Sequence, residues 1–196
     1  MKFKKLLKLI LTIYCLAINS LSIASKHYSA QIHEYTTPIY LSDNALFFDE
    51  YDRPLYFAQY EGKAVLIVFW ALWCPLCLQK MADLDSLKKD FKKLPLEVLP
   101  ISSGYRAVAD IKEFYKDNKI KYLNIFYDNK NKLMNAMEVI GLPSAFLVDE
   151  DGRITHQFKG VVDWNDDEIR DIILSTIPGK PARPKNSNKQ TIGISE

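Results

Sequence analysis

Ala64-Val65-Leu66-Ile67-Val68-Phe69-Trp70 runs directly into Ala71-Leu72-Trp73-Cys74-Pro75-Leu76-Cys77. The first seven residues are apolar without alternation and rich in β-branched types, the pattern of a strand buried on both faces. Glu61-Gly62-Lys63 before them reads as a turn. After the cysteines, Leu78, Met81, Leu84, Leu87 and Phe91 recur at threes and fours, which predicts a helix over 78–91 with one apolar face. The two cysteines therefore stand at a strand-to-helix junction. A bare C-x-x-C says little, but one that opens a helix after a buried strand points to thiol–disulfide chemistry. Only a thiolate attacks a disulfide, and an ordinary cysteine is mostly protonated at neutral pH. Free N–H groups and the positive dipole end at a helix N-terminus favour the thiolate of Cys74. Cys77, one turn later, is placed to resolve a mixed disulfide. Pro75 sits where its preset φ suits a first helical turn and no N–H is needed.

Working outward, Phe47-Phe48 and Leu55-Tyr56-Phe57 flank Asp49-Glu50-Tyr51-Asp52-Arg53-Pro54 as a hairpin with a polar turn. Residues 25–45 are polar with scattered apolar positions and no clear period; they read as an N-terminal extension. Beyond Pro95, Leu96 to Ile101 reads as a strand. Val108, Ile111, Phe114 and Tyr115 mark a second helix, Tyr122 to Tyr127 a strand, and Leu133 to Val139 a short helix closed by Gly141. Gly141-Leu142-Pro143-Ser144 leads into the strand Ala145 to Val148. Asp151-Gly152 is a turn signal before a partner strand, Ile154 to Val162. Glu168 to Ile177 is a closing helix. The organisation is thus 46–177 as the folded domain and 178–196 as a disordered polar tail. Alternation of strands and helices predicts an α/β fold, with a mainly parallel central sheet covered on both faces and the last hairpin as an antiparallel edge.

The first 24 residues carry Lys2, Lys4, Lys5 and Lys8, no acid, and an apolar run from Leu9 to Ala24. Ser22 and Ala24 suit a signal-peptidase cut, so 1–24 reads as an export signal, with an uncut membrane anchor as the alternative. The net charge of +2 belongs to this segment; without its four lysines, 22 basic side chains face 24 acidic ones, a net of −2. That balance gives no electrostatic case for nucleic-acid binding. With Cys15 inside the signal, Cys74 and Cys77 are the mature cysteines. One pair closing a two-residue gap staples nothing, so it serves chemistry or a metal. Two thiolates suit Cu(I), which makes a copper metallochaperone the rival reading. Zinc would need four ligands, and His27, His33 and His156 are scattered. No cofactor is expected. Trp70 reads as core, and Trp73 as divided between packing and substrate contact.

Trp70-Ala71-Leu72-Trp73-Cys74-Pro75-Leu76-Cys77, with Gly141-Leu142-Pro143-Ser144-Ala145-Phe146-Leu147-Val148-Asp149 and Asp151-Gly152-Arg153-Ile154, resembles the TlpA/ResA-like branch of the thioredoxin superfamily. The resemblance runs from about Phe47 to Ile177. It implies a thioredoxin-like fold with a mixed central sheet flanked by helices, an N-terminal hairpin and a βα insertion between Cys77 and Pro143. It implies a monomeric periplasmic or envelope domain, free or anchored through its N-terminus, that exchanges disulfides with protein substrates and a membrane redox partner. Service to cytochrome maturation or oxidase copper-site assembly follows by analogy. Pro143 would be the cis-proline beside the active site, and Leu142 would offer its backbone to an extended substrate.

The chain departs from that pattern at four positions. Val68 replaces the buried acid of thioredoxins, Leu76 stands where proline is frequent, Ala82 replaces a helix proline, and Lys80 replaces a glutamate. A cation at Lys80, on the helix face of Cys77, is expected to favour a nearby thiolate, which marks it as a pKa-tuning candidate.

Overall fold

The computed structural model describes residues 29–41, 45–103 and 108–179. The Lys-rich segment 1–24, Cys15, His27 and the tail from residue 180 lie outside them. The strands are β1 (Gln31–Tyr40), β2 (Leu46–Asp49), β3 (Pro54–Tyr56), β4 (Ala64–Trp70), β5 (Leu96–Ser103), β6 (Phe126–Asp128), β7 (Ser144–Val148) and β8 (Arg153–Lys159). The helices are α1 (Pro75–Leu78), α2 (Met81–Phe91), α3 (Val108–Asp117), α4 (Lys132–Ala136) and α5 (Asp167–Thr176). Among these, no helix is long and apolar enough to cross a membrane.

All eight strands join one sheet in the order β1-β8-β7-β4-β5-β6-β2-β3. β4 lies inside it and is buried at every position, as its unbroken apolar run requires. One face packs α2, α3 and α5 through Leu84, Leu87, Ile111 and Ile173; the other packs Phe47, Phe57 and Leu133. The sheet is mixed rather than mainly parallel. Only β4–β5 and β5–β6 run parallel, because only those connections cross over through helices that return the chain in the same sense. β7 enters against β4, and β2 against β6.

Nor is the β7–β8 hairpin the edge. Residues 31–40, which show no period in sequence, form β1 and pair with β8 from Gln31↔Lys159 to Tyr40↔Arg153. An edge strand that is exposed along almost its whole length has no buried face to impose alternation. A bulge between Glu34 and Ile39 interrupts the register further.

Three other boundaries move for local reasons. β6 begins at Phe126 and not Tyr122, because the N–H groups of Lys121, Tyr122 and Leu123 all donate to the buried Oδ1 of Asp85, at 3.1, 2.6 and 3.0 Å. Those donors are unavailable to a ladder. α4 ends at Ala136, and Glu138 then takes a positive φ of 53°, outside the helical region. β8 ends at Lys159, where Gly160 turns the chain with a φ of 99° that a side chain rarely tolerates.

The two hairpin turns are built alike. Asp49 Oδ1 accepts the N–H of Tyr51 and Arg53 while Oδ2 takes Arg53 Nε at 2.7 Å. Asp149 does the same with Asp151, Arg153 and Arg153 Nε, again at 2.7 Å. Each carboxylate thus closes its own loop and clamps the guanidinium that opens the return strand.

His156 on β8 lies between Glu34 of β1 and Leu147 of β7, half-buried and stacked on Phe158. Burial lowers its pKa below the ordinary 6.5, and Glu34 only partly opposes this. The unfolded chain therefore binds this proton more readily, and stability rises with pH through the window below about 6.5. The contribution is complete above that value and is lost as the pH falls through the folded-state pKa. His156→Gln is expected to flatten the stability–pH curve there, read from urea midpoints between about pH 5 and 7.5. Parallel curves for parent and variant would refute the assignment.

Candidate active site

β4 delivers Ala71-Leu72-Trp73 to a turn that ends on Cys74, the N-cap of α1. Pro75 occupies the first helical position. The Cys74 Sγ accepts the backbone N–H of Cys77 at 3.2 Å, so the first sulfur lies where a helix N-terminus offers a donor. The two sulfurs are joined as a disulfide, with Cα atoms 5.3 Å apart. Both cysteines are buried, whereas Trp73 is 60% and Leu76 36% exposed. The flanking aromatic and leucine thus stay in solvent while the sulfurs pack against the core. Trp70 is core: it lies against Phe114 and Tyr115 with ring centroids 5.7 and 6.1 Å away.

The Leu142–Pro143 peptide is cis. Pro143 comes from the loop before β7, and the antiparallel pairing of β7 with β4 brings it to the cysteines. Cys77 and Pro143 are both walls of one cavity of about 20 Å³, together with Val68, Trp70, Trp164 and Lys80. Leu142 is half-buried and touches both hydrophobic cores, while Ile140 just before it is almost wholly exposed.

Lys80 departs from the simple picture of one helix carrying it on the face of Cys77. The helix expected over 78–91 is interrupted: α1 stops at Leu78, and Lys80 is the N-cap of α2 with ψ near −1°. Its Nζ pairs with Asp83 at 3.0 Å and reaches Asp163, in the segment after β8, at 3.7 Å. The hydrogen bond to Asp83 is the main reason its pKa is raised; burial works against this and Asp163 adds to it. Val68, in place of the buried acid, is core. Lys80 thus has two carboxylate partners that the motif around the cysteines does not announce. Asp83 was findable, since (i, i+3) pairs are neighbours on a helix surface. Asp163 carries no local signal and is brought in only by the path of the chain after Gly160.

Of the histidines, His33 lies on β1 edge-on to Tyr35, and His156 on β8. Among the described residues, no group of three or more His, Cys, Asp or Glu is arranged to hold a metal ion.

The Redoxin family model matches residues 44–173. An uncharacterised protein of Haemophilus influenzae is 34% identical over 104 residues, covering 51% of this chain and 66% of that one. The thiol-disulfide oxidoreductase ResA of Bacillus cereus is 29% identical over 101 residues, covering 52% and 57%. The chain thus spans less than two thirds of the length of these relatives. Among solved structures, the exposed lipoprotein thioredoxin Etrx1 of Streptococcus pneumoniae is 25% identical, with a TM-score of 0.53 over 66% of this chain and 93% of that one. With the mixed sheet and the disulfide between strand and helix, these matches agree on one assignment: the chain belongs to the Redoxin family, in the TlpA/ResA-like branch of the thioredoxin superfamily.

Proposed function

We propose that the protein is a thiol–disulfide oxidoreductase acting on protein substrates outside the cytoplasm, with Cys74 as attacking and Cys77 as resolving thiol. The observation that carries this reading is the Cys74–Cys77 disulfide at the N-terminus of α1, walled on its inner side by Pro143. Within so short a loop the bond adds little to scaffolding, which leaves redox exchange as its use. Exposed Trp73 and the backbone of Leu142 would receive an extended substrate segment, with Pro143 shaping the approach. The name ResA, thiol-disulfide oxidoreductase, supports the chemistry, and that of an exposed lipoprotein thioredoxin supports an extracytoplasmic site. The Lys-rich segment 1–24 serves as export signal or anchor. A membrane redox partner recharges the pair, and the substrates belong to cytochrome maturation or copper-site assembly of an oxidase.

The test is thiol counting on the mature protein. Reduced protein should show both thiols of Cys74 and Cys77, mildly oxidised protein neither, reversibly and without change in oligomeric state. Free thiols that persist after mild oxidation would overturn the proposal.

A further inference from the structure

Cys77, and not Cys74, shares the small cavity with Lys80. The walls around Cys77 are mostly apolar, among them Val68, Trp70, Leu84 and Trp164, and Lys80 alone is charged among the residues that line the space. Cys77 itself is 3% exposed. An apolar surrounding raises the cost of ionising a thiol, so a resolving cysteine here is handicapped unless a cation offsets the cost. At about 20 Å³ the space admits one water and no ligand, and Lys80 supplies the one charge among its walls. The ammonium is also held in place: Asp83 of α2 and Asp163 of the segment after β8 fix it from two elements. Those two carboxylates are the remaining charged groups of the cluster, and each weakens the field that Lys80 exerts on the sulfur.

We infer that Lys80 is a positioning residue for the second half of exchange: its clamped ammonium stabilises the thiolate of Cys77 for attack on the mixed disulfide at Cys74. This rests on the disulfide-exchange reading above. In the step itself, the Cys77 thiol releases its proton to solvent, and its thiolate attacks Cys74 Sγ. A Cys74–Cys77 bond forms, the bond from Cys74 to the partner sulfur breaks, and the partner leaves as thiolate. The partner, now reduced, takes both electrons that the two cysteines give up.

Ellman's reagent provides the probe, because reduced protein first forms a Cys74–thionitrobenzoate mixed disulfide and Cys77 then expels a second thionitrobenzoate. The second release is followed by stopped flow against pH. Lys80→Met keeps the stem and removes the charge; its rate profile should move up by about one pH unit. At neutral pH the thiolate fraction then falls about tenfold, partly offset by the higher nucleophilicity of a more basic thiolate, for a net slowing of about threefold. Lys80→Arg should stay within about twofold of the parent. Asp163→Asn, which removes one opposing carboxylate, should move the profile the other way. A merely structural clasp would shift stability without these opposed displacements. Unmoved profiles in both Lys80→Met and Asp163→Asn overturn the inference while leaving the redox reading intact. Failure of the parent to release a second equivalent would instead overturn the redox reading.

Discussion

Cys74→Ala is expected to lower disulfide exchange by about a thousandfold or more, because it removes the proposed nucleophile and leaves at the site only Cys77, which is 3% exposed. Cys77→Ala should behave differently. Cys74 keeps its position as N-cap of α1, so the first attack proceeds, but the mixed disulfide cannot be resolved from within. The variant should therefore accumulate covalent complexes with protein partners, visible on non-reducing gels of cell-envelope extracts and lost on adding reductant. The asymmetry comes from placement: Cys74 precedes the first helical residue, while Cys77 is walled in behind it by Pro143 and Trp164. Equal trapping by the two variants would contradict the division of labour.

The second large effect is on stability, and it lies away from the sulfurs. Asp85 is buried on α2, and its single Oδ1 accepts three consecutive backbone N–H groups from the segment before β6. Asp85→Ala would strand all three donors. A charge-assisted set of this kind is worth about 3 kcal/mol, a substantial part of the margin of an ordinary domain. A fall in Tm of about 10 °C would follow, with the urea midpoint falling in step. Asp85→Asn retains an acceptor and should lose only part of this. A loss below about 1 kcal/mol for Asp85→Ala would mean that water replaces the carboxylate freely at this depth.

Legibility from sequence followed the strength of the local pattern. β4 was readable because burial on both faces leaves an unbroken apolar run, and the C-x-x-C gained meaning from what flanks it. Both polar hairpin turns were readable, since Asp and Gly in short loops mark them; the matching Arg53 and Arg153 clamps became visible only in three dimensions. β5 was readable despite Pro100 in an inner strand. The structure shows why the proline is tolerated: the β6 ladder begins only opposite Ile101. β1 was illegible because solvent covers its exposed face, and the late start of β6 because a carboxylate 36 residues upstream of Lys121 takes its donors. Around the cysteines, the flanking residues were legible and the charge pattern was only half so. Lys80 could be read as a cation near a thiol, but its two anchors depend on tertiary structure.

The pairing of β1 with β8 also bears on the order in which the protein can assemble. Tyr35 on β1 donates to Gln157 on β8 across 122 residues of sequence, so β1 is synthesised long before its partner strand. The two hairpins and the helix after Cys77 close locally and can form as the chain emerges, whereas β1 must wait until β8 exists. Until then Ile32, Ile39 and Tyr40 belong to an unpaired strand, the kind of segment that associates with other chains. A nascent chain of this protein is therefore at risk from the emergence of β1 until that of β8, and β1 is where a chaperone would give it the most protection.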